Sequence, residues 1–101
     1  MKGNFKSLVN SDIPVLVDFF AGWCQPCKVQ SPVLQELAKE MTGKIKVLKI
    51  NVDKNQAIAE QFRIQGVPTL ILFKNGNSLW RQSGVISGDN LRNIIEQHIN
   101  L

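Results

Sequence analysis

The chain has 101 residues, 44% of them hydrophobic and 20% charged, which suits one domain over residues 1–101 with a proper core and leaves no room for a second. No apolar run reaches the length of a membrane span, and residues 1–13 carry Lys2 and Lys6 without the apolar stretch of a signal peptide, so no membrane association and a cytoplasmic location are expected. The net charge of +4 is scattered along the chain with no basic cluster among aromatics, which argues against nucleic acid and leaves a solubility feature that favours acidic partners.

Residues 4–10 read as a short helix with Phe5, Leu8 and Val9 on one face. Pro14 then opens Val15-Leu16-Val17-Asp18-Phe19-Phe20, apolar on both faces as a central parallel strand is. Ala21-Gly22-Trp23 leads into a helix expected over residues 24–41. Val29, Val33, Leu34, Leu37, Ala38 and Met41 make its apolar stripe, while Gln30, Gln35, Glu36, Lys39 and Glu40 face water. Pro32 should kink this helix, and Gly43 should end it in the left-handed conformation. Residues 45–52 form a second strand, again apolar on both faces, and Asn55 caps a short helix that buries Ile58 and Phe62. Residues 69–73 and 78–83 are strands joined by Asn75-Gly76, a strong hairpin signal. Ser87 caps a last helix that turns Leu91, Ile94, Ile95 and Ile99 inward. The order α-β-α-β-α-β-β-α predicts an α/β domain, a mixed sheet between helices.

The only two cysteines lie three positions apart in Trp23-Cys24-Gln25-Pro26-Cys27-Lys28, at the start of the second helix. A thiol attacks only as thiolate, and the unpaired N–H groups of a helix start favour that charge at Cys24. Pro26 suits the first turn, where its missing donor costs little. Cys27, one turn deeper, is better shielded and near enough to close a disulfide, so Cys24 is the attacking thiol and Cys27 the resolving one. Half of a zinc site is a rival reading, although His98 is the one strong further ligand and reads better as a last-turn residue favoured by the helix dipole. A purely structural disulfide is another.

Asp18 interrupts an apolar strand, where burial should raise its pKa and fit it to exchange a proton near neutrality; a carboxylate bonded to backbone is the plainer alternative. Lys49, on the strand expected beside it, is its natural companion, or else a lysine that snorkels to the surface. Trp23 is either a contact surface beside the thiol or core, and Trp80 reads as packing. Val67-Pro68 stands at the start of a strand, a common place for proline, and periodicity is silent about its isomer.

Together these residues resemble the thioredoxin family over nearly the whole chain. The matching segments are Val15-Leu16-Val17-Asp18-Phe19, Trp23-Cys24-x-Pro26-Cys27-Lys28, Pro32 and Lys49-x-Asn51-x-Asp53, then Gly66-Val67-Pro68-Thr69, Phe73-Lys74-Asn75-Gly76 and Gly84. The resemblance implies a thioredoxin fold and a protein-disulfide reductase that works through a mixed disulfide on Cys24, which Cys27 resolves to leave Cys24–Cys27 oxidised. It further implies that Asp18 moves the proton of Cys27, that Lys49 tunes Asp18, and that Pro68 is cis. Trp23, Gln25, Pro26, Gly66, Val67, Pro68 and Gly84 would then line a groove for an extended substrate segment, paired to the backbone of Val67. The expected partners are disulfide-containing target proteins and an NADPH-dependent flavoprotein reductase, with no cofactor beyond the redox-active disulfide, no metal, and a default monomer.

The chain departs from the family at three places. Gln25 stands where most members carry glycine, adding bulk at the substrate-facing lip. Phe20 stands where many carry tryptophan, an aromatic-for-aromatic change. The short amino terminus leaves little room for the usual first strand, so a sheet of about four strands is expected, with that edge strand short or absent. Retained Pro26, where oxidising relatives carry histidine, favours a reducing poise over a disulfide oxidase or isomerase in an exported compartment. A redox-gated binding subunit is a further alternative.

Overall fold

The computed structural model describes residues 4–99. Its elements are α1 (Phe5–Val9), β1 (Val15–Phe20), α2 (Gln25–Glu40), β2 (Lys46–Asn51), α3 (Gln56–Gln61), β3 (Thr69–Lys74), β4 (Asn77–Ser83) and α4 (Gly88–Ile99), in the expected order. The strands form one mixed sheet, β2-β1-β3-β4. β1 pairs parallel with β2 (Asp18 opposite Lys49) and antiparallel with β3 (Asp18 opposite Leu70), and β3 pairs antiparallel with β4. The expectation about a first edge strand falls partly on residues 1–3, which lie outside the described residues; the described sheet has four strands. No helix among the described residues is long and apolar enough to cross a membrane.

Period-two alternation sends β1 and β3 side chains to opposite faces of the sheet. Val15, Val17, Phe19, Ile71 and Phe73 join Phe5 and Val9 of α1 and Ile50 of β2, with Ile58 and Phe62 packed against them. Leu16, Leu70 and Leu72 meet Leu34 and Leu37 of α2 and Leu91 and Ile95 of α4 on the other face. Asn75 (φ 51°) and Gly76 (φ 81°) both take the positive φ that a two-residue hairpin turn requires, and Gly43 (φ 82°) follows α2 in the same region. Asn90 N–H donates to the Ser87 hydroxyl at 3.2 Å, so Ser87 caps α4.

Four expectations need correction. β2 is not apolar on both faces: it is an edge strand with Lys46 and Lys49 exposed and, of its apolar residues, only Ile50 fully buried. Leu8 is 45% exposed, because a helix of five residues turns only its i, i+4 pair, Phe5 and Val9, inward. In α2 the buried line runs Cys27, Gln30, Leu34, Leu37, so Gln30 faces the core and Val29 faces water, the reverse of the pattern read from polarity. Asn55 occupies the N-cap position of α3 without capping it; its amide donates instead to the Asn51 carbonyl at 2.9 Å. Helix α2 itself runs unbroken through Pro32.

Candidate active site

Strand β1 delivers the chain through buried Ala21 to Cys24, which caps α2 in an extended conformation (φ −89°, ψ 111°). Cys24 and Cys27 are joined as a disulfide, their Cα atoms 5.3 Å apart, and both are almost fully buried. Cys27 N–H donates to Cys24 Sγ at 3.1 Å. That N–H and the positive end of the α2 dipole converge on this sulfur, a setting that stabilises negative charge. Pro26 occupies the first turn of the helix. The Val67 carbonyl oxygen lies 3.6 Å from Cys24 Sγ, and the Val67–Pro68 peptide bond is cis.

Three further bonds tie this turn to the sheet. The Thr69 hydroxyl donates to the Gly66 carbonyl at 2.6 Å and accepts from Ser83 at 2.8 Å. Gly84 N–H donates to the Pro68 carbonyl at 2.8 Å, at φ 94°, a conformation that favours glycine. The dithiol turn, the segment 66–68 and Gly84 therefore lie in one connected surface. Trp23 belongs to that surface rather than to the core: it is 72% exposed, and its indole N–H donates to Asp53 Oδ2 at 2.9 Å. A cavity of about 120 Å³ beside it is lined by Trp23, Val52, Ile64, Gln65, Gly66 and Val67. Gln25 and Pro26 face solvent.

Asp18 has no solvent exposure, and among the described residues neither of its oxygens has a hydrogen-bond partner. The plainer reading of a backbone-bonded carboxylate is thereby excluded. By alternation Asp18 shares the face of Leu16, beneath α2, one step nearer the start of that helix. Burial raises its pKa to about 6, with the Lys49 charge pulling the other way. Lys49 keeps its stem on the edge strand and its head outward: Nζ donates to Ser31 Oγ at 2.7 Å and sits 4.7 Å from the centre of the Phe20 ring. The snorkelling reading describes its position, and its charge nevertheless acts on Asp18. A crevice of about 190 Å³ has both Cys27 and Lys49 in its walls, with Phe20, Lys28 and Ser31.

Sequence reasoning did not single out Ser31, Asp53 or Thr69 as parts of this surface. Each acts through a contact distant in the chain, and only Asp53 and Thr69, within segments shared with the family, carried a signal. Trp80 packs against the aliphatic core as expected, and the His98 ring nitrogen Nδ1 lies 2.7 Å from the Ile94 carbonyl within its own helix. Among the described residues no group of three or more His, Cys, Asp or Glu could hold a metal ion.

A thiol pair at a helix start, beside a cis-proline loop on a mixed sheet between helices, defines a thiol–disulfide oxidoreductase. The thioredoxin family model matches residues 1–97. The thioredoxin of Haemophilus influenzae is 53% identical over 97 residues, covering 95% of this chain and 91% of that protein. Thioredoxin 1 of a Nostoc species is 42% identical, over 93% of this chain and 88% of that one. A solved structure described as a malarial protein superposes with a TM-score of 0.80 at 36% identity, covering 84% of this chain and 96% of that chain. The chain belongs to the thioredoxin family, and its activity is protein-disulfide reduction: the Cys24–Cys27 pair is the redox group, and disulfide-containing proteins are its targets.

Proposed function

We propose that the chain acts as a single-domain, monomeric general dithiol donor with the following division of labour. The Cys24 thiolate attacks one sulfur of a target disulfide; a Cys24–target bond forms, and the other target sulfur leaves as a thiolate that takes a proton from water. Cys27 then gives its proton to the Asp18 carboxylate and attacks Cys24 Sγ. The mixed disulfide breaks, the second target sulfur leaves as thiolate, and Cys24–Cys27 closes. Two electrons have passed from the dithiol to the target. Lys49 tunes the proton affinity of Asp18 through its charge. Trp23, Gln25, Pro26, Gly66, Val67, Pro68 and Gly84 receive an extended target segment, with the Val67 backbone as its pairing edge.

The observation that carries this reading is the 3.1 Å bond from Cys27 N–H to Cys24 Sγ, which supports the first cysteine of the pair as the anion. The buried, unpartnered Asp18 carboxyl on the sheet face beneath α2 supports a proton acceptor for the second. An NADPH-dependent flavoprotein reductase in the cytoplasm is the electron source we favour, with nothing beyond the disulfide carried by the chain itself; likeness to bacterial thioredoxins supports that setting.

Cys24→Ser and Cys27→Ser should each abolish turnover with a protein disulfide, and Cys27→Ser alone should accumulate a covalent complex with its target. Accumulation on Cys24→Ser instead would reverse the two roles. Equilibration with glutathione should give a potential near the about −270 mV of thioredoxins; a value in the range of about −120 to −180 mV, that of folding oxidants and isomerases, would assign the exported role instead.

A further inference from the structure

Gln30 is fully buried, and both ends of its carboxamide are used on one residue fifty-six positions away. Oε1 accepts from the Ile86 N–H at 2.8 Å, and Nε2 donates to the Ile86 carbonyl at 3.0 Å. Paired bonds of this kind are what a neighbouring strand supplies to an antiparallel partner. Here a side chain supplies them to a residue that lies between β4 and α4, where no strand is available.

The placement of this bridge matters more than its strength. Gln30 is one helical turn beyond Cys27, on the same buried line of α2. Two residues before Ile86, Gly84 N–H is bonded to the Pro68 carbonyl at 2.8 Å. The segment 84–86 is thus held at one end by the cis-proline loop and at the other by the dithiol helix. Val85, between the two anchors, has no such bond and is 46% exposed. Only the Gln30 amide ties this segment directly to the helix that carries Cys24 and Cys27 among the hydrogen bonds of the described residues.

We propose that Gln30 is a positioning residue: its carboxamide sets the Gly84-Val85 wall of the target groove against the dithiol and so governs the binding of polypeptide disulfides, not the thiol chemistry. The inference rests on the reading that Gly84 lines that groove. Gln30 touches no reacting atom. Its effect belongs to substrates long enough to reach the wall, while a small disulfide that meets only Cys24 is indifferent to it.

The test compares Gln30→Met, close in shape but unable to make either bond, with Gln30→Glu, which retains an acceptor for the Ile86 N–H. Each is assayed with insulin as protein disulfide and with hydroxyethyl disulfide as small one, at a temperature where circular dichroism shows it folded. Gln30→Met should raise KM for insulin about fivefold, the worth of about one hydrogen bond, with kcat within about twofold and the small-disulfide rate unchanged. Gln30→Glu should fall between it and the native chain, and it alone decides the matter if Gln30→Met does not fold. Amide hydrogen exchange at Gly84 and Ile86 should quicken in step with KM. An unchanged insulin KM in the folded variants, or an equal loss with both substrates, overturns the inference. Val85→Glu separates the two levels of the argument: if it raises insulin KM while the Gln30 variants do not, the groove reading stands and the role of Gln30 falls. If Val85→Glu is also without effect, the groove reading fails with it.

Discussion

The face of the sheet under α1 and α3 is closed by phenylalanines, with Phe5, Phe62 and Phe73 in mutual contact at 5.3 to 5.7 Å between ring centres. The face under α2 and α4 is aliphatic, and it holds two polar side chains with no solvent exposure, Asp18 of β1 and Gln30 of α2. Gln30 is satisfied twice, and among the described residues neither Asp18 oxygen has a partner. An unpartnered buried carboxyl is expensive, and a fold built for stability alone would place leucine there. The contrast sets an aromatic face built on ring packing against an aliphatic one on which the fold tolerates a destabilising buried carboxyl.

The largest effect that would break this division comes from Phe73→Ala. The ring is 1% exposed and packs edge-on against both Phe5 and Phe62, so its removal should lower the unfolding free energy by about 3–5 kcal/mol in urea titrations. The rate of insulin reduction per folded molecule should stay unchanged. A matching fall in that rate, measured where the variant is still fully folded, would show that the aromatic face also sets the geometry of the dithiol.

On the other face the sign reverses. The Asp18 pKa rises from 3.8 unfolded to about 6 folded, so between these values the folded protein holds more protons than the unfolded one. The contribution of Asp18 to stability is therefore most favourable below about pH 4, falls as pH rises through about 6, and is level above it. At about 1.4 kcal/mol for each pKa unit, the charged carboxylate costs about 3 kcal/mol at neutral pH. Asp18→Asn, which cannot ionise, should be more stable than the native chain by about that amount at pH 7, and the two should converge near pH 4. The same substitution should slow attack by Cys27 and flatten its dependence on pH between about 6 and 8, read by rapid quench of the mixed disulfide. A rate that keeps its native pH profile in Asp18→Asn removes Asp18 from the proton transfer, whatever the stability result.

Legibility in the sequence followed the range of the interactions. The order of elements, the Asn75-Gly76 turn, the left-handed Gly43 in the turn after α2 and the cap at Ser87 depend on neighbours in the chain, and local pattern found them. The place of Cys24 at a helix start was legible for the same reason, because a helix start is a local feature. The cis state of Pro68 came through family resemblance alone. What local pattern missed depended on position in the sheet or on a distant partner. β2 reads as apolar throughout, yet its place at the edge leaves Lys46 and Lys49 in solvent. Gln30 reads as a surface residue because glutamine usually is one; only the unpaired backbone of Ile86, brought over from another part of the chain, makes a buried amide the better choice there.

The smallest effect sharpens the comparison most, since it changes stability without touching charge balance at the site. Arg63 ends α3 at φ 52°, in the left-handed region where a non-glycine residue costs roughly 1–2 kcal/mol. The conformation is held from across the sheet, where the Arg81 guanidinium of β4 donates to the carbonyls of both Phe62 and Arg63. Those acceptors are backbone atoms, so Arg63→Gly keeps the clamp and relieves the left-handed cost. Offset by the greater freedom of glycine in the unfolded chain, the net gain should be about 0.5–1 kcal/mol in urea titrations. That gain should be the same at pH 4 and pH 7, whereas the gain from Asp18→Asn exists only at the higher pH. Because the two sites lie on different elements and share no partner, the double variant should show the sum of both at pH 7 and the Arg63→Gly increment alone at pH 4. An Arg63→Gly gain that grows with pH would mean that α3 is coupled to the buried carboxyl and that the two faces are not independent.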